Sequence, residues 1–128
     1  MRINKSRILV IILSCILPFT IMGCNNQTLS FNHDKWIRAK ETASWDIRKK
    51  MAQDLIDKKS LLGESKKDVI QMLGMSEDYS DVKSNELYYT TELKYNGDID
   101  PTKIEYLIVT LNQKQNVTSV DRKIILDK

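Results

Sequence analysis

Hydrophobic positions change their period twice along this chain. Residues 8–22 (ILVIILSCILPFTIM) carry no charge, whereas residues 24–33 (CNNQTLSFNH) are polar apart from Leu29 and Phe31. From Ser44 onward Ile47, Met51, Ala52, Leu55 and Ile56 recur at spacings of three and four, the mark of one apolar helix face. Arg48, Lys49, Lys50, Gln53, Asp57 and Lys58 fall on the opposite, solvated side, and Gly63 is placed to terminate the helix. Residues 34–43 fit either an upstream extension of this helix or a short separate one. A second helix opens at Ser65, where Ser65-Lys66-Lys67-Asp68 matches a capping box, and its stripe is Val69, Ile70, Met72 and Leu73. Gly74 sits where a positive φ is least costly.

Beyond Gly74 the period falls to two. Leu87–Thr91 is aromatic and β-branched, and Asn96-Gly97 and Asp100-Pro101 mark a turn and a loop. Residues 104–111 (IEYLIVTL) form the strongest strand signal, with Tyr106, Ile108 and Thr110 on one side and Leu107, Val109 and Leu111 on the other. In residues 117–126, Val120, Ile124 and Leu126 share a face with Arg122 between them. Helices first and strands afterwards predict an α+β domain over residues 34–128. Its two N-terminal helices pack on one face of a three- to four-stranded antiparallel sheet.

The apolar run at the start reads as an address. Arg2, Lys5 and Arg7 precede it without an anion, and its 15 residues fall short of the ~20 that a spanning helix needs. Pro18 interrupts it as well. The stretch Ile21-Met22-Gly23-Cys24 resembles the bacterial lipobox: aliphatic, variable, small, then Cys. That pattern implies a signal peptide over residues 1–23, cleavage between Gly23 and Cys24, and lipid on Cys24. Residues 24–33 then form a flexible lipidated tether, about 17 Å r.m.s. for ten residues. Asn25, in place of an Asp after the lipidated Cys, points to the outer membrane, facing the periplasm.

Composition and charge change meaning in this light. The chain has 128 residues, 20 Lys+Arg against 17 Asp+Glu, and a formal charge of +3. Removing Arg2, Lys5 and Arg7 leaves 17 cations, which the 17 anions balance. The apparent basicity belongs to export and gives no support to a nucleic-acid partner. Of the two Cys, Cys15 lies in the discarded run and Cys24 is consumed by lipid, which excludes thiol catalysis, a disulfide and Cys-based metal sites in the mature chain.

The spacing Gly63-x-Ser65-x-x-x-Val69-x-x-x-Leu73-Gly74, behind a lipobox and before a small sheet, resembles the SmpA/OmlA/BamE-like envelope lipoproteins. It is also similar to the ααβ unit of β-lactamase-inhibitor-protein repeats. The chain departs from the family pattern at Ser76, where a Pro is usual. All five matching residues carry structural roles. The resemblance implies a non-enzymatic binding or scaffold role in outer-membrane assembly or envelope integrity, with the membrane and an envelope protein as partners. The inhibitor repeats imply the alternative: an inhibitor or immunity-type lipoprotein blocking an envelope hydrolase.

Candidate chemistry is sparse. The single His, His33, falls in the expected tether, where no positioned partner shell exists. The acidic groups Glu77, Asp78 and Asp81, and Asp98 with Asp100, lack the EF-hand spacing, and no Gly-rich phosphate loop is present. No catalytic residue, metal or cofactor is therefore expected. Tyr88, Tyr89 and Tyr95 are the candidate interface residues: adjacent strand rings point to opposite faces, so one of Tyr88 and Tyr89 should be exposed. Trp36 and Trp45 are expected to dock the first helix, and Arg48-Lys49-Lys50 to be solvated.

Overall fold

A computed structural model of the chain describes residues 28–77 and 83–127. Three helices precede three strands in it: α1 (His33–Glu41), α2 (Trp45–Asp57), α3 (Lys66–Leu73), β1 (Glu86–Lys94), β2 (Lys103–Leu111) and β3 (Val117–Leu126). The strands form an antiparallel meander in the order β1-β2-β3. The α+β class with helices before strands is thus as the periodicity indicates. The uncertain stretch 34–43 belongs to a short separate helix, α1: Ala43 turns the chain through a positive φ of 54°, and Ser44 directly precedes α2.

One core lies between the helices and one sheet face. Trp36, Met51, Leu55, Val69 and Leu73 meet Leu87, Tyr89, Leu107, Val109 and Leu111 there. Each fully buried large apolar side chain contributes about 1.5–3 kcal/mol, so this layer dominates the stability. Tyr88, Tyr106 and Ile108 form a smaller cluster on the opposite face, flanked by Ile104.

Two expectations about helix ends need correction. Gly63 does not end α2. The helix stops at Asp57, and Lys59 already holds a positive φ of 53° in the turns that follow. Gly63 instead donates its N–H to Val117 O at 2.9 Å, with φ +83°, and so binds the α2–α3 connection to the start of β3. The tether is the second. Within residues 28–33, Leu29 N–H reaches Lys50 O at 3.2 Å and Phe31 N–H reaches Asp54 Oδ2 at 2.9 Å. His33 opens α1, and Phe31 packs its ring 5.9 Å from that of Trp36. These residues are part of the fold, because a ring and two main-chain donors gain partners there that outweigh the entropy of ordering them.

The C-terminus of α3 shows how the elements lock. Its last carbonyls have no partner within the helix. Met72 O accepts from His33 Nδ1 at 2.8 Å, Leu73 O from Trp36 Nε1 at 2.9 Å, and Gly74 O from Tyr89 Oη at 2.9 Å. A carbonyl only accepts, so the proton of His33 sits on Nδ1. At the other end Ser65 Oγ accepts from Asp68 N–H at 3.2 Å, a cap that contributes about 1 kcal/mol.

Candidate functional site

The structure gathers charge at one place the sequence pattern did not single out. On β1 the register slips between Thr90 and Glu92. Without that bulge Glu92 would share a face with Tyr88 and Thr90; with it, Glu92 lies on the helix side, directly opposite Glu105 of β2. Two carboxylates facing each other across a ladder repel, so the pair persists only through its cations.

Lys49 of α2 supplies the first, with Nζ 2.6 Å from Glu92 Oε2 and 3.4 Å from Glu105 Oε2. Lys103 and Lys94 approach Glu92 Oε1 at 3.2 and 3.3 Å. Arg122 of β3 donates from Nε to Glu105 Oε1 at 2.6 Å, and its Nη1 reaches Gln53 Oε1 at 3.2 Å. Both carboxylates are buried. Burial works against the charge on Glu92, but hydrogen bonds from Lys49 and Lys103 outweigh it and hold this carboxyl at about 2. The hydrogen bond to Glu92 in turn raises the Lys49 pKa above the ordinary lysine value.

This cluster joins α2 to all three strands. It opens on a cleft of about 480 Å³ lined by Asp46, Lys49, Lys50, Gln53, Asp57 and Arg122. The arrangement is an electrostatic clamp: both carboxylates are occupied by cations, so neither is placed to accept a substrate proton.

Arg48 is the second departure from the expected solvated run. Its residue surface is 2% exposed, and its guanidinium lies 4.1 Å above the Trp36 ring. Nε and Nη1 have no hydrogen-bond partner. Burial lowers its pKa to about 10, against the opposing pull of Glu77. Glu77 itself pairs with Lys40 at 2.8 Å and accepts from Thr90 N–H at 3.2 Å. Of the run, Lys50 alone is exposed.

Gly23 and Cys24 lie outside the described residues. The five residues of the Gly63–Gly74 spacing come together around α3: Ser65 caps it, Val69 and Leu73 are buried, and Gly63 and Gly74 hold positive φ at its flanks. Tyr88 and Tyr89 lie on opposite sheet faces as expected, but at 5% and 0% exposure both are buried, which corrects the expectation that one of them is exposed. Tyr89 fills the main core edge-on to Trp36, while Tyr88 lies against Tyr106 with Lys123 Nζ 5.5 Å above its ring. Only Tyr95 of the three is exposed, at 53%, just past the end of β1. Trp36 docks α1 as expected and is fully buried.

Among the described residues no group of three or more His, Cys, Asp or Glu is placed to hold a metal, and no helix is long and apolar enough to cross a membrane. Comparison of the chain with family models, curated proteins and solved structures finds no match. The class that fold and site define is therefore a small α+β domain with an internal ionic clamp.

Proposed function

We propose that this protein is a non-enzymatic lipoprotein of the bacterial cell envelope. It is anchored to the outer membrane through lipid on Cys24 and faces the periplasm. Its α+β domain works as a binding or scaffold module in outer-membrane assembly or envelope integrity, the role that the SmpA/OmlA/BamE-like resemblance implies. The observation that carries the reading is Ile21-Met22-Gly23-Cys24 directly behind an uncharged apolar run with a basic start. Two or more acyl chains make such an anchor stable where one is reversible.

The docking of residues 28–33 supports a close seat on the bilayer. Only residues 24–27 then separate the lipid from the fold, a reach of at most about 14 Å when fully extended. The inhibitor or immunity alternative asks for exposed aromatic rings on the open sheet face. Of the three candidate tyrosines, Tyr88 and Tyr89 are buried and Tyr95 is the one exposed, so the scaffold reading stands ahead of it.

Replacing Cys24 by Ala tests the anchor. The expected result is a chain that keeps its precursor size and no longer incorporates labelled fatty acid. Normal processing together with full membrane retention would overturn the proposal.

A further inference from the structure

β3 is an edge strand whose outer side opens to solvent. Among the described residues nothing pairs with that side beyond Val117, whose N–H and C=O are taken by Glu64 and Gly63. Asp127 N–H bonds Thr102 O across the β2 side at 2.9 Å, so by strand alternation the main-chain groups of Val120, Arg122, Ile124 and Leu126 point to the open edge. The same stretch bears a concentrated apolar exposure: Ile124 is 49%, Ile125 40% and Leu126 66% exposed. Edge strands usually protect themselves with charge, and Asp121, Arg122 and Lys123 are present. Their order, however, is self-complementary.

We propose that β3 pairs antiparallel with β3 of a second copy about Arg122, making a continuous six-stranded sheet. Directly opposed residues in such a pair share a sheet face, so the two-fold axis passes through a residue position rather than between two. Centring on Asp121 or on Lys123 sets like charges face to face. Centring on Arg122 sets Asp121 of each copy against Lys123 of the other, twice. The two Arg122 side chains meet at the axis, but each is already held by its own Glu105 at 2.6 Å.

Shape agrees with charge. A groove of about 250 Å³ runs along the helix side of the same edge, lined mainly by Leu55, Ile56, Leu62 and Val120. In the centred register Ile124 lies opposite the second copy's Val120, and Leu126 opposite its Thr118. The exposed apolar end of each β3 thus reaches the groove beside the other, and every contact is made twice. The inference is independent of lipidation, since it uses only the folded domain.

Charge exchange in the full chain, purified in detergent, tests it by sedimentation equilibrium and cross-linking over a dilution series. Wild type should form a reversible dimer. Asp121→Lys and Lys123→Asp should each weaken association about tenfold or more, because two attractive cross-strand pairs become repulsive. An equimolar mixture of the two variants should associate again, since one copy then presents only cations where the other presents only anions. A monomeric wild type at the highest soluble concentration would overturn the proposal, as would single variants that dimerise normally or a mixture that stays monomeric. If a charge variant fails to fold, Leu126→Lys gives the same readout: loss of the dimer supports the register, and its persistence overturns it.

Discussion

Arg48 enters the core with two N–H donors unpaired, whereas Glu92 and Glu105 enter it wrapped in cations. The oxygens Glu92 Oε1 and Glu105 Oε2 sit 3.2–3.4 Å from lysine ammonium groups, so their burial is compensated by charge. For Arg48 the compensation is the charge of Glu77 and the face of Trp36, the latter an attraction that reaches about 2 kcal/mol when desolvated. Two buried donors without partners cost about 1–3 kcal/mol each. A buried guanidinium with unpaired donors carries a desolvation cost that an apolar chain of similar length does not. Arg48→Met should accordingly leave the fold intact and raise its stability by about 1 kcal/mol or leave it unchanged. Urea unfolding with an unaltered slope checks this, and a loss above about 2 kcal/mol would mean that the guanidinium has a partner worth more than its desolvation.

At the end of α3 Gly74 adopts φ +86° and ψ −174°, a conformation essentially reserved for glycine. A Cβ there would come 3.2 Å from Ile37 Cδ1, the movable tip of a side chain, so the backbone strain decides the cost. Gly74→Ala should destabilise by about 1–3 kcal/mol, read from the midpoint of thermal or urea unfolding. It should also loosen the Tyr89–Gly74 hydrogen bond, visible as a changed tyrosine environment in near-ultraviolet dichroism. Much of this element level was legible beforehand: the Ser65 cap, the Val69 and Leu73 stripe, and the alternation of residues 104–111 all follow from spacing. Even the ionic clamp left a trace, since Glu105 and Arg122 have the parity of the buried Leu107, Val109 and Val120. Glu92 left none, because the bulge that turns it inward is set by tertiary packing rather than by local pattern. Arg48 and the docked residues 28–33 were illegible for a similar reason. Their partners, Trp36 for one and Lys50 and Asp54 for the other, belong to other elements, and a one-dimensional period cannot bring these together.

At the scale of the whole molecule the clamp makes stability a function of pH. Glu92 has a folded pKa of about 2, below the ordinary carboxylate value. Asp54 is also lowered: burial opposes its charge, but hydrogen bonds from Lys58 and from Phe31 N–H prevail. The unfolded chain therefore binds protons first as pH falls. Stability is complete above the unfolded carboxylate range and drains away between about pH 4.5 and pH 2. On the alkaline side Lys49 acts in the opposite sense. Its raised pKa contributes fully below the unfolded lysine value and is lost as pH rises through the folded one. The fold should thus show a plateau across neutral pH with a carboxylate-driven acid limb. Lys94 is largely exposed and screened by water, so the contribution of Glu92 is on the order of 2 kcal/mol rather than the full value of its shift. Urea unfolding at a series of pH values from 7 to 2.5 should reveal that limb in the wild type. In Glu92→Gln the neutral plateau should drop by a similar amount and the limb should flatten, because the group that binds the extra proton on unfolding is gone. An acid limb of unchanged depth in the variant would assign acid sensitivity to carboxylates elsewhere and leave the Glu92–Lys49–Glu105 bridge without its role in joining α2 to the sheet.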